Sequence, residues 1–81
     1  MALSRPDLSA LDTALIAAHQ ADDREAMAAL YHRAAQAMID NESMEEAAFF
    51  LTQAYVLSLD CGDREQAAAC HRQLVAMGRE Q

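Results

Sequence analysis

Apolar positions recur along this chain at helical spacing, and the recurrence breaks three times at short polar clusters. Leu8, Leu11 and Leu15 form one stripe, with Ala10, Ala14 and Ala17 beside it. Met27, Leu30, Tyr31, Ala34 and Met38 form a second. In the third segment Ala47, Phe50, Leu51, Ala54 and Leu57 run down one side, while Ala48, Phe49, Tyr55, Val56 and Leu59 cover much of the rest. A helix apolar nearly all round is expected to be buried nearly all round, which predicts a central third helix flanked by its sequence neighbours. The fourth segment carries a narrower stripe, Ala67, Cys70, His71, Leu74 and Met77, with Gln66, Arg72 and Gln73 expected outside, as befits a terminal helix.

The breaks read as helix starts. A short oxygen-bearing side chain can accept from an orphan backbone N–H while an acid or amide three residues on reaches back. Asp22 with Glu25, Ser43 with Glu46 and Asp63 with Gln66 have that spacing. Four residues after each predicted cap stands an alanine, Ala26, Ala47 and Ala67, a small side chain that lets a neighbouring backbone come close. A further start is placed at Ser4, with Arg5, Pro6 and Asp7 in the first turn. Gly78 is a C-terminal stop. The expected elements are helices over 5–19, 23–40, 44–60 and 64–77. Their connections are too short for anything but antiparallel neighbours. The fold class is therefore all-α, one domain over 1–81.

Composition narrows this further. Of 81 residues 53% are hydrophobic, but 19 are alanine, so the core is thin. Two glycines and one proline leave too few turn formers for a many-stranded barrel or sandwich. Thirteen acids against six arginines give a charge of −7, a field that repels phosphate backbones, so nucleic acid is not an expected partner. No run of eighteen apolar residues is present, nor the long apolar segment of a secretory leader over Met1–Asp7, so no membrane contact and a cytoplasmic location are expected. Cys61 falls in a turn and Cys70 about 10 Å further along a helix, beyond disulfide reach, so both are read as reduced.

The stretch Phe49–Leu74 resembles a tetratricopeptide-type repeat. Phe49 and Leu51 stand early in the first helix of the pair, Ala54 and Tyr55 in its middle, Gly62 and Asp63 at the turn and Ala67 early in the second helix. His71 stands where that family favours an aromatic residue, Leu74 where it favours alanine, and no proline closes the unit. Tyr31, Ala35, Met38, Ala47, Leu51 and Ala54 match a similar pattern, so the second and third helices are an alternative pair. The resemblance implies helical hairpins stacked as a short superhelix or bundle, acting as a non-catalytic adaptor or scaffold for another protein or peptide. On the concave face it implies Phe50, Gln53 and Leu57 as partner-contacting residues, with Tyr31 and His71 as further candidates. Lysine is absent and Asn41 is the one asparagine, so the carboxylate-clamping specificity of that family is not carried over.

Candidate chemistry is sparse. His19, His32 and His71 fall on three different helices without metal-ligand spacing, and Cys70 and His71 project about 100° apart, so no metal or other cofactor is expected. A thiol nucleophile, Cys61 or Cys70 with His71, lacks an oriented base and a pocket. Acid runs at Asp40, Glu42, Glu45 and Glu46, and at Asp22, Asp23 and Glu25, read as caps and solvated helix ends, or as ends facing a basic partner. Two alternatives to an adaptor are a chaperone-like protein that masks a partner segment and a ligand-binding or enzymatic bundle with Tyr31, His32, Tyr55 and His71 around one pocket. A thin core with apolar flanks also predicts a homodimer through the first or the fourth helix.

Overall fold

The computed structural model describes residues 5–78, with side chains from residue 9 onward. Four helices follow one another: α1 (Arg5–Gln20), α2 (Arg24–Asp40), α3 (Met44–Asp60) and α4 (Arg64–Ala76). Each lies within about one residue of its expected bounds. The expected cap at Ser4, the side chains of Arg5, Pro6, Asp7 and Leu8, and Arg79–Gln81 lie outside the described residues.

One turn, used three times, sets the architecture. At its centre a residue takes the left-handed conformation: Asp22 (φ 53°), Glu42 (φ 60°) and Gly62 (φ 79°). Its amide bonds the carbonyl three residues back, and the next amide bonds the carbonyl five back: Asp22 to His19 and Asp23 to Ala18, Glu42 to Ile39 and Ser43 to Met38, Gly62 to Leu59 and Asp63 to Ser58. This is the Schellman stop, and the residue that completes it is already the N-cap of the next helix. With so little chain between them, successive helices are antiparallel, and the N-caps Asp23, Ser43 and Asp63 recur every 20 residues.

That regularity corrects the first predicted cap. Asp23, not Asp22, caps α2, with the Ala26 amide donating to its carboxylate at 3.1 Å. Asp22 fills the left-handed slot, one that aspartate tolerates better than most residues. The buried position four residues after each cap is then Met27, Ala47 and Ala67 (5, 0 and 4% exposed) rather than Ala26. The capping boxes are open as well. Ser43 makes no side-chain cap bond. Asp63 accepts from the Gln66 amide at 3.1 Å, but the Gln66 side chain donates instead to the fully buried Ser58 hydroxyl at 2.9 Å. At the other end Gly78 (φ 75°) stops α4 as expected.

The helices form an open zigzag. Each packs chiefly on its neighbour in sequence, α2 on α3 most extensively. The Cα envelope is 32 × 29 × 16 Å, its short dimension that of two helix layers about 10 Å apart. Leu51, Leu74, Cys70, Ala35, Ala48 and Ala54 make the core, with Tyr31, Ile39, Phe50, Tyr55 and Met77 packed against it. Alanines on α2 and α3 let those two helices approach closely, so a few large side chains suffice to fill the space between them.

Two expectations about packing fail. First, α3 is central but not buried all round: Met44, Phe49, Val56 and Leu59 are 43–58% exposed. Two antiparallel neighbours cover only part of a helix surface, and among the described residues no third helix packs extensively on α3. Second, Gln66 and Gln73 do not sit outside α4. Gln66 bridges to Ser58 on α3, and Gln73 meets α2, where Gln36 Nε2 donates to Gln73 Oε1 at 3.1 Å and His32 Nε2 lies 3.2 Å from the same oxygen.

Candidate functional site: an apolar groove between α1 and α3

α1 and α3 lie on the same side of α2 without packing closely on one another, and the space between them is an open groove of about 310 Å³. Leu11, Leu15 and Ile16 from α1 form one wall, Phe49 and Phe50 from α3 the other, and Tyr31, Ala34 and Met38 from α2 the floor. The floor residues Tyr31, Ala34 and Met38 are i, i+3 and i+7 on one stripe of α2, while the adjacent pairs Leu15 and Ile16 and Phe49 and Phe50 make each wall broader than one stripe.

Aromatic rings bridge the groove from wall to wall. His19 and Tyr31 meet edge to face at 6.0 Å, and a 3.1 Å hydrogen bond joins His19 Nε2 to the Tyr31 hydroxyl. Tyr31 and Phe50 are 6.0 Å apart, and Phe50 meets Phe49 edge to face at 5.5 Å. The pairing occupies one His19 nitrogen and one hydrogen-bonding position of the Tyr31 hydroxyl. Asp12 is the carboxylate among the described lining residues. The lips stay apolar: Ile16 is 51% and Phe49 58% exposed.

Of the residues expected to contact a partner, Tyr31 and Phe50 come together here. Gln53 and Leu57 are half-buried on α3 outside the lining. His71 packs on Tyr55 between α3 and α4, ring centroids 5.8 Å apart. The reading with Tyr31, His32, Tyr55 and His71 around one pocket is corrected: Tyr31 pairs with His19, His32 with Gln73, and Tyr55 with His71, in three separate places. Sequence reasoning missed Ile16 and His19 and assigned Phe49 to the interior. The available signal was that α3 carries more apolar surface than two neighbours can cover.

Neither cysteine is paired. Cys61 is exposed at the turn, its thiol 3.6 Å from the Ser58 carbonyl. Burial pushes the Cys70 thiol up from its ordinary range, and the negative charge of Asp63 adds to this. Among the described residues no group of three metal-ligating side chains converges, and no helix is long and apolar enough to cross a membrane. No protein-family model, curated protein or solved structure matches the chain, so its function is read from geometry.

Proposed function

We propose that this protein is a small, non-catalytic interaction module, a tetratricopeptide-like adaptor or scaffold that holds a segment of another protein in the groove between α1 and α3. The observation that carries the reading is the pair of half-exposed lips, Ile16 and Phe49, on an aromatic-lined cleft. Leaving such side chains in water forgoes stabilisation that burial would supply, and contiguous exposed apolar surface marks interaction sites. Holding a segment there also hides it from other contacts, which is the chaperone-like form of the same activity. Repetition of one turn at 20-residue intervals supports a helical-repeat build. The proposal sets the module in the cytoplasm, in keeping with its two unpaired cysteines.

Self-association through α1 or α4 belongs to the same proposal, supported by Val75 on α4, which is 43% exposed and outside the groove. Affinity capture from native extract, with the wild-type chain and an Ile16→Asp, Phe49→Asp variant compared at low and high salt, tests the groove. A protein retained by the wild type and lost by the variant is expected, and identical captures refute the reading. Light scattering after size exclusion tests self-association; a molar mass of 8.9 kDa at high concentration refutes it.

A further inference from the structure

The groove's surroundings say what kind of segment fits it. α3 carries Glu45, Glu46 and Asp60 and no arginine. Glu46 stands one helical turn before the groove residue Phe50, on the same row of the helix surface, and Asp60 closes the other end of α3. Asp12 supplies a carboxylate from the opposite wall. Among the described residues no arginine lines the groove: Arg24 lies beside Asp22 at 3.8 Å, Arg33 is exposed on α2, and Arg64 and Arg72 sit together on α4. The cleft is apolar inside and acidic at its margins.

We propose that the occupant is an amphipathic helix of a partner protein, with large apolar side chains along one face and arginine or lysine on both flanks of that face. This rests on the interaction-module reading and names the partner's chemistry. The backbone decides for a helix: an extended peptide would bring unpaired N–H and C=O groups against a lining whose polar atoms are Asp12 and the mutually bonded His19 and Tyr31, whereas a helix satisfies its own. Size agrees. A helical segment of about ten residues, roughly 15 Å long and 10 Å wide, occupies more than about 1,000 Å³. A cleft of about 310 Å³ therefore takes only the anchoring side chains, while the helix body rests between the lips Ile16 and Phe49 and along the exposed ridge of Val56 and Leu59. Charge decides against a second copy in the same groove, because it would bring its own acidic α3 and a net −7 to an acidic rim, and like charges across an interface oppose association.

A labelled synthetic peptide tests this: about 18 residues of helix-favouring sequence, long enough to populate the helix, with leucines at i, i+3, i+4 and i+7 and arginines flanking them. Two controls accompany it, one with every arginine replaced by glutamate and one permuted to scatter the leucines around the helix. Fluorescence anisotropy with the full chain is expected to show the arginine peptide binding at least about tenfold tighter than either control, with the advantage over the glutamate peptide shrinking as salt rises. Phe49→Ala is expected to weaken the arginine peptide about tenfold with the circular dichroism spectrum unchanged, since the side chain is mostly in water. Equal binding of the arginine and glutamate peptides, equal binding of the permuted peptide, no binding, or indifference to Phe49→Ala each overturns the assignment. So does a dimer in which Phe49 is protected and which Phe49→Ala dissociates, for then a second copy is the occupant. If the peptides fail while the Ile16→Asp, Phe49→Asp variant still loses a captured protein, the interaction module stands and only the basic helix falls. If both fail, both fall.

Discussion

Leu51 and Phe49 stand two residues apart on α3, and they are expected to respond very unequally to the same perturbation. Leu51 is 0% exposed and sits among Ala35, Ala48, Ala54, Cys70 and Leu74. Truncation to alanine removes its transfer free energy and leaves a cavity lined largely by side chains too short to move into it, so the cost belongs in the upper part of the usual range, about 3–5 kcal/mol. Phe49 is 58% exposed, so less than half of its side chain is withdrawn from water. Full burial of such a side chain contributes roughly 1.5–3 kcal/mol, which scales here to about 1 kcal/mol. A domain of this size has a total stability of roughly 4–12 kcal/mol, so Leu51→Ala takes away a large share and Phe49→Ala little. Urea unfolding followed by circular dichroism measures both, provided the slope with denaturant is unchanged. A Phe49→Ala cost of about 3 kcal/mol or more would mean that something covers the outer face of α3, and a Leu51→Ala cost below about 1.5 kcal/mol would mean that the core is elsewhere. Either result refutes the packing described above.

Four further outcomes concern the turns and the cysteines. Glu42 holds the left-handed conformation with a side chain where Gly62 has none, so Glu42→Gly is expected to stabilise by about 0.5–1 kcal/mol in the same urea experiment, and Gly62→Ala to cost about 1 kcal/mol. Asp23→Ala and Asp63→Ala should each cost about 1 kcal/mol because each loses a 3.1 Å cap bond, whereas Ser43→Ala should change stability by less than about 0.5 kcal/mol. The folded Cys70 thiol keeps its proton at a pH where the unfolded thiol, near its ordinary value of about 8.5, has released it. Its stabilising contribution is therefore full below about pH 8 and declines as pH rises beyond that. Urea midpoints between about pH 7 and 9.5 should fall for the wild type and flatten in Cys70→Ala. In native protein a thiol reagent should modify Cys61 at once and Cys70 only on unfolding.

Much of this fold is written locally in the residues. Helix formation, stop and start depend on neighbours within about five positions, so the four helices, the Gly78 stop and the antiparallel order are legible from spacing and turn residues alone. Even the misplaced cap is a local ambiguity: two adjacent aspartates can each accept the amide, and the Schellman geometry assigns the left-handed place to Asp22 and the cap to Asp23. What the side chains of α3 face is a different kind of question. An apolar helix surface records what could be buried, while actual burial depends on how many neighbours arrive and at what angle. The tertiary arrangement gives α3 two close neighbours and keeps α1 apart from it, so Phe49 is exposed at a groove, Tyr31 meets His19 across it, and Gln66 and Gln73 turn inward as bridges. Periodicity carries the phase of each helix but not the distance to the next one but one, and that distance alone separates a closed core from an open groove.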